Sequence, residues 1–371
     1  MTEGLADKFD FEIICGPPLV VTEKSSSPPH CKIHPVPTLQ LPKSLLLSRA
    51  LNDLSFLFSA FFRGLFLPCP NLVVSQTSPP GIWWVAFFLS RWHRRKWIHI
   101  SQDSFPENLR ILMDGKYGGL LSLLERMNAF ILRKSERIVV IGEDMKKGFL
   151  KRGFSSEKIV CIFNWSDLEF IRPVPKKNFF SEKNDIATKF VVLYAGNFGR
   201  IHNFEDLLGA AEQLRTRPEI QFVFVGEGAL KPQLIREVQF RELSNVKFLP
   251  FEPRSELPKI LASADVSVIL LRKGMAGLSV PSKIYSILAS GRPILACVEE
   301  ESDIAKMVRE SGSGFVILPG NSEAFAQAIA SLSKNCDKTQ RMGQNARRYI
   351  ETMDFKNRAL RGYGELFEKS L

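Results

Sequence analysis

Six cysteines are scattered over 371 residues, without a CxxC pair and without a histidine–cysteine cluster. That spacing excludes a zinc module and a disulfide framework, and the interior is expected to be reducing. Long apolar runs are also missing. The nearest, "LSFLFSAFFRGLFLP" (54–68), is broken by Arg63 and falls short of the roughly twenty residues that a bilayer span needs. No basic-then-apolar leader opens the chain, which starts "MTEGLADKFDFEIIC", so a cytoplasmic location is expected. No Gly-x-Gly-x-x-Gly follows a first strand, which argues against a nicotinamide dehydrogenase. A periplasmic-type binding protein would need the export signal that the chain does not show. Acidic residues are in deficit: 39 Asp and Glu face 50 Lys and Arg, a formal net charge of +11. Such a surface attracts polyanions, whether nucleotide phosphates, nucleic acid or an anionic membrane. No nucleic-acid module or base-stacking motif is present, so nucleic acid is set aside.

What remains is a globular composition, 45% apolar and 24% charged, in a chain long enough for two α/β domains. Apolar strand-like runs alternate twice with helix-length amphipathic segments, the signature of parallel sheets with crossover helices. The first half offers strands at 11–15, 71–75, 96–100, 137–142 and 158–163, with helices at about 42–66, 118–134 and 143–152. The second offers strands at 189–196, 220–226, 246–249, 265–271, 293–297 and 314–318. A polar, proline-bearing stretch at 173–188 reads as a linker between domains at 1–172 and 189–352. The fold class expected is therefore α/β, with two doubly wound Rossmann-like domains facing a cleft, where ligands gather at the carboxyl ends of the strands.

Within "GLSVPSKIYSILASGRPILA" (277–296), Pro281 and Ser282 can open a helix, Ile284, Ile287 and Leu288 give it an apolar face, and Gly291 with Pro293 closes it. Ser282 and Lys283 at its open end could complete an anion site, or they could be a cap and a surface lysine. "VGEGALK" (225–231) allows the same two readings: a turn presenting Glu227 and Lys231 to a cleft, or an ordinary strand-to-helix turn. In "HISQDSFPENL" (99–109), Asp103 and Glu107 follow a strand and face the expected cleft. Asp103 could instead cap a helix, and Glu107 could pair with Arg110. The alternation of "WIHI" makes His99 a packing residue.

Seven pieces in order now resemble one family. "VVLYAGNFGRIHNFEDLLGAA", "FVFVGEGALKPQL", "NVKFLPFEPRSELPKILASADVSVILL" and "VPSKIYSILASGRPILA" resemble the donor domain of glycosyltransferase family 4 (group 1), of the GT-B fold. "TSPP", "QDSFPE" and "ERIVVIGEDMKKGFLKRGFSSEKIVCIFNWSD" resemble its acceptor domain. Bacterial surface-polysaccharide members of the colanic-acid type are the most similar.

The resemblance implies a metal-independent, retaining transfer of a sugar from a nucleotide diphosphate to a glycan or lipid-linked acceptor. No cofactor beyond the nucleotide sugar is implied, with UDP favoured over GDP. It sets Ser279, Ser282 and Lys283 against the diphosphate, with Asn197, Gly199, Arg200 and His202 of "GNFGRIHN" (196–203) as the other half of the clamp. It also implies that a final helix within 353–371 crosses back to the first domain. Many relatives carry two glutamates eight positions apart before the helix-ending glycine; Leu278 and Ser286 stand there. Ser286 can still hydrogen-bond a ribose, whereas Leu278 cannot grip a sugar. Asp103 or Glu107 would orient the acceptor hydroxyl or take its proton late, and His99 aligns with a histidine of some relatives. The family's opening strand and Gly-rich loop are not seen, since "MTEGLADKF" reads as a helix end. Phe-rich 42–68 and basic-aromatic "SRWHRRKWIH" (90–99) either suit an anionic bilayer at the inner face of the plasma membrane or form a core helix beside a solvated edge. A nucleotide-sugar-binding protein without catalysis, and a nucleotide-sugar epimerase, are the alternatives.

Overall fold

The structure, a computed structural model, describes residues 1–17, 30–41, 46–113 and 115–371. Two compact units form, one from Met1–Phe163 with Asn357–Leu371 and one from Asn164–Lys356. Every strand pairing among the described residues is parallel, as alternating strands and crossover helices require.

The first unit runs α1 (Thr2–Leu5), β1 (Phe11–Cys15), β2 (Cys31–Pro35), α2 (Leu46–Leu65), β3 (Leu72–Gln76), α3 (Ile82–Trp92), β4 (Lys96–Ser101), α4 (Glu107–Leu112), α5 (Gly118–Leu132), β5 (Arg137–Val140), α6 (Glu143–Lys151) and β6 (Ile159–Cys161). Strands β3 to β6 make a four-stranded sheet in chain order, and β1 pairs with β2 in a separate two-stranded sheet. The β4 residues Trp97, Ile98, His99 and Ile100 are all buried, as a strand covered on both faces demands. Two elements escape the sequence reading. Strand β2 carries Lys32, His34 and Pro35 and lacks an apolar run. Helix α3, "IWWVAFFLSRW", is apolar on too many sides to show a helical period. Residues 42–45 of the expected helix at 42–66 lie outside the described residues.

The second unit runs α7 (Phe179–Lys183), β7 (Phe190–Ala195), α8 (Glu205–Gln213), β8 (Ile220–Val225), α9 (Lys231–Phe240), β9 (Val246–Leu249), α10 (Leu257–Ala262), β10 (Val266–Leu270), α11 (Lys283–Ala289), β11 (Ile294–Cys297), α12 (Asp303–Ser311), β12 (Gly314–Ile317), α13 (Ser322–Ser333) and α14 (Cys336–Met353). Its six-stranded sheet has the order β12-β11-β10-β7-β8-β9. The chain winds outward from β7 on one side and from β10 on the other, which makes the β7/β10 boundary a topological switch point. Tyr194, Phe222, Phe224, Val268, Leu270 and Phe325 form the centre of its core.

The stretch 173–188, expected to be an unpatterned linker, contains α7 and packs on this unit. Asn178 caps the helix by accepting from Phe180 N and Ser181 N, while Ser181 Oγ accepts from Asn178 N in a capping box. Phe180 is buried, and Lys176 Nζ pairs with Asp265 at 2.5 Å. Short helices held by one cap and one apolar contact leave little periodic trace.

The last helix, α15 (Phe355–Ser370), begins with Phe355 against Tyr285 at 5.2 Å between ring centroids. It continues with Phe367 against Phe9 at 5.8 Å. No helix among the described residues is long and apolar enough to cross a membrane.

Candidate functional site

Two loops leave the switch point of the second unit. The β7–α8 loop begins at Gly196, whose N–H donates to the Val225 carbonyl at 2.9 Å. Phe198 N then donates to the Glu227 carbonyl and Leu230 N to the Phe198 carbonyl, at 2.9 and 3.0 Å. These bonds stitch it to the β8–α9 turn. Gly226 permits the approach: a Cβ there would lie 2.1 Å from the Gly196 oxygen, at φ +136. On the other side Arg272 N donates to the Ile201 carbonyl, tying the β10–α11 loop to the same cradle. Phe198, fully buried, anchors the loop from below by stacking on Phe204 at 5.5 Å.

Lys283 points into this cradle. Its Nζ is shut off from solvent and finds no hydrogen-bond partner, although the residue as a whole is only half-buried. The ammonium sits 3.8 Å over the Tyr194 ring and lies 3.0 Å from where a Cβ on Gly196 would stand. Loss of hydration pushes its pKa down to about 7, because an ion with neither water nor counter-charge favours the neutral form. The Tyr194 hydroxyl donates to the Asn197 carbonyl at 2.7 Å, so the platform under the lysine also holds the loop beside it. An anion placed here meets a pre-positioned cation.

The helix start contributes less than expected. Helix α11 has seven residues, and its Ile284 and Tyr285 N–H groups already donate to the Pro281 and Ser282 carbonyls at 3.2 Å. Ser282 is exposed and makes no side-chain cap bond. A tight i to i−3 entry uses the donors that a wider helix start would leave open, so the cationic character of the site rests on Lys283. Ser279 is buried in the loop before it. Ser286 Oγ lies 3.3 Å from Ser166 Oγ, a partner that nothing in the sequence pointed to.

His202 is buried and its Nδ1 donates to the Leu270 carbonyl at 2.7 Å. Burial, reinforced by the charge of Lys283, pushes its pKa down to about 4, which keeps the ring neutral near pH 7. Asn197 and Arg200 are exposed on the loop, with Gly199 between them half-buried. Lys231 is committed to structure: its Nζ donates to Glu227 Oε1 at 2.6 Å and to the carbonyls of Gly226 and Leu249 at 2.8 and 3.2 Å. Glu227 itself remains largely exposed. Tyr194 carries no functional mark in the sequence, where it reads as one more apolar residue of β7. Its one signal is its place as the penultimate residue of β7, two positions before Gly196.

A family profile described as "Glycosyl transferases group 1" matches residues 176–349, and one described as "Glycosyl transferase 4-like domain" matches residues 1–165. A probable glycosyltransferase of Pseudomonas aeruginosa, WbjE, is 32% identical over 297 residues, covering 77% of this chain and 72% of that one. The chain belongs to the group 1 glycosyltransferases. A putative colanic acid biosynthesis glycosyl transferase of Escherichia coli, WcaI, is 27% identical over 219 residues, 58% of this chain and 53% of that protein. Among solved structures, the sucrose-phosphate synthase of Thermosynechococcus elongatus superposes with a TM-score of 0.75 at 18% identity, over 99% of this chain and 90% of that one. HepE of Anabaena, solved in complex with UDP-glucose, gives 0.72 at 16% identity, over 91% and 86%. These likenesses establish the two-domain GT-B fold for this glycosyltransferase.

The first unit of the glycosyltransferase holds the acidic candidates at the carboxyl end of β4. Asp103 is half-buried, and its backbone carbonyl accepts from Ser101 Oγ at 3.1 Å. It does not cap α4, whose N-cap position is Pro106. Glu107 pairs with Arg152, the residue that caps the end of α6, and not with Arg110, which makes a two-pronged bond to Glu125 at 2.8 and 3.1 Å. The side chains of Trp83, His99, Asp103, Glu107, Asn128 and Arg152 line one small polar cavity. Trp83 Nε1, Glu107 Oε2 and Arg152 Nη2 are buried there without a partner in the protein. His99 bonds through Nδ1 to Ser75 Oγ at 3.0 Å, and burial pushes its pKa down to about 3. Arg152 was invisible in the sequence because 45 residues separate it from Glu107. Among the described residues no group of three His, Cys, Asp or Glu side chains could hold a metal ion.

Proposed function

We propose that this glycosyltransferase takes a sugar from a nucleotide diphosphate bound at the β7/β10 switch point and transfers it, with retention and without a metal ion, to a lipid-linked polysaccharide precursor in the cytoplasm. The observation that carries the reading is the dry, unpartnered ammonium of Lys283 aimed at the glycine-bearing β7–α8 loop. As the glycosidic bond breaks, negative charge grows on the departing diphosphate. A cation already stripped of water stabilises that charge without reorganising. Arg200, exposed on the same loop, supplies a second cation, and Asn197, Gly199, His202, Ser279, Ser282, Ser286, Glu227 and Lys231 shape or stitch the surroundings. UDP is favoured because HepE, a fold neighbour, is described in complex with UDP-glucose. The polysaccharide precursor is favoured because the WcaI relative is named for colanic acid biosynthesis.

On the acceptor side Asp103 is the better candidate for orienting the attacking hydroxyl and taking its proton late, since Glu107 is already held by Arg152. Retention requires that hydroxyl to arrive on the face that the diphosphate leaves.

The test is thermal unfolding of the purified chain against UDP-, GDP- and ADP-sugars with no added metal. A ligand at one hundred times its Kd adds about 2.7 kcal/mol, a rise of a few degrees in the midpoint. One responsive nucleotide names the donor class, and an Arg200→Ala chain with an unchanged response removes Arg200 from the site. Silence with all three rejects the donor reading. Asp103→Asn with normal binding and normal turnover rejects the role of Asp103.

A further inference from the structure

Five side chains of the first unit end in buried polar atoms with no hydrogen-bond partner among the described residues, and all five line the cavity at the β4–α4 loop. The atoms are Trp83 Nε1, Ser104 Oγ, Glu107 Oε2, Asn128 Oδ1 and Arg152 Nη2. Trp83, Ser104 and Asn128 are no more than 5% exposed as whole residues. They converge from separate elements: Trp83 from α3, Ser104 from the loop, Glu107 from the start of α4, Asn128 from α5, and Arg152 from the cap of α6. A buried polar atom left unpaired forfeits its hydration and gains nothing in return. Several of them around one cavity therefore call for a shared partner, and protein interiors supply one as ordered water.

The chemistry of these atoms selects the occupant. Trp83 Nε1 and Arg152 Nη2 can only donate. Glu107 Oε2, the second oxygen of a carboxylate paired with Arg152, accepts. Asn128 Oδ1 is fixed as an acceptor, because the Nδ2 of that amide donates to the Phe105 carbonyl at 2.6 Å. Ser104 Oγ can do either. An anion would face the oxygens of Glu107 and Asn128, and a cation would face Arg152. A neutral hydroxyl both accepts and donates, so it suits both sets. The cavity has room for about one water molecule, which leaves out a sugar ring. Its walls are set without the occupant. The Arg152 guanidinium lies over the Phe149 ring at 4.0 Å, and its Nε donates to the Gly148 carbonyl at 3.2 Å. Trp83 packs edge-on against His99 at 5.7 Å.

We propose that an internal water molecule occupies this cavity, accepting from Trp83 Nε1 and Arg152 Nη2 and donating to Glu107 Oε2 and Asn128 Oδ1, and that it fastens the β4–α4 loop to the surrounding helices. The first half of that loop is pinned directly. Gln102 N donates to Thr77 Oγ1 at 2.8 Å, and the hydroxyls of Ser101 and Thr77 donate to the Asp103 carbonyl at 3.1 and 3.4 Å. The second half, Ser104 to Glu107, is held by Asn128 on the Phe105 carbonyl and by Arg152 on Glu107. Those are two of the side chains that the water joins. The proposal is separate from the Lys283 site and from the role given to Asp103, and it holds or fails without either.

The experiment is water NMR on the full chain carrying heavy-nitrogen tryptophan, in a buffer free of sugar and glycerol so that any hydroxyl detected is that of water. The Trp83 indole signal is assigned by its loss in Trp83→Phe, or, if that variant unfolds, by elimination with Trp84→Phe, Trp92→Phe, Trp97→Phe and Trp165→Phe. A cross-peak between the Trp83 indole proton and water is expected, with opposite signs in the laboratory-frame and rotating-frame Overhauser spectra, the mark of a bound molecule. No cross-peak, or the same sign in both spectra, which reports proton exchange with bulk solvent, overturns the proposal. The fastening is read by deuterium uptake. Trp83→Phe keeps a ring in the core and removes one donor to the water, so the segment 104–108 should open about ten-fold more often, while β7 and β8 of the other unit stay as protected as before. A folded Trp83→Phe chain whose 104–108 segment exchanges no faster overturns the fastening.

Discussion

The Lys283 ammonium lies 3.8 Å above the ring of Tyr194 and has no other polar neighbour within bonding distance. A cation–π contact of this kind recovers part of the hydration that the ion has lost, about 2 kcal/mol, and leaves the rest as a standing attraction for an anion. The residue should therefore carry opposite costs in the free and bound states. In Lys283→Met the unliganded chain is expected to gain about 1 kcal/mol, because an unpaired buried group is replaced by one that packs on the ring. The nucleotide-sugar response in thermal unfolding should disappear. A Met variant that still responds would remove Lys283 from the site.

Donor binding should depend on pH through the same group. Lys283 in the free protein titrates at about 7, and a bound diphosphate raises that value by favouring the charged form. Above about pH 7 the free lysine is neutral while the complex keeps it charged, so binding takes up a proton and affinity falls as pH rises. Calorimetry at pH 8 in buffers of different ionisation heat would read the uptake directly. A binding heat independent of the buffer would contradict it.

The two glycine loops should behave as one unit. Gly226→Ala sets a methyl group 2.1 Å from the Gly196 oxygen, at φ +136, so the β7–α8 loop must move or the chain must strain. Stability should fall by more than about 1 kcal/mol, with weaker donor binding. Gly320→Ala is the control, because it shares a positive φ of +97 and meets nothing within 4 Å. Equal losses by urea unfolding for the two variants would mean that backbone strain, and not the loop contact, sets the effect.

In the first unit, Glu107 and Arg152 should show strong coupling. Removing either alone leaves its partner as an uncompensated, largely buried charge, expected to cost about 3–5 kcal/mol. Glu107→Gln/Arg152→Met together should cost less than the sum, and a double-mutant cycle by urea denaturation measures the difference. Additive losses would show that the pair acts as two independent residues.

The architecture was legible because hydrophobic alternation is a local property. The strands around "VVLYAG", "FVFVG" and "SVILL" need no partner to declare themselves, and the helix over Lys283–Ala289 announced its start and its closing glycine. Elements whose stability comes from elsewhere went unread: β2 exists because β1 pairs with it, and α7 because Asn178 and Phe180 fasten it to its own unit.

The candidate site divides in the same way. The sequence by itself determined which segments meet at the switch point, since order and period dictate a doubly wound sheet, and it brought Lys283 and the loop 196–203 to that place. Tertiary structure alone decided what state the residues are in. It desolvated Lys283 over Tyr194, spent Lys231 on backbone carbonyls, handed Glu107 to Arg152 and turned the apolar face of α2 outward. Each of these depends on atoms brought together from distant parts of the chain, and on water excluded between them, which periodicity along a sequence does not encode.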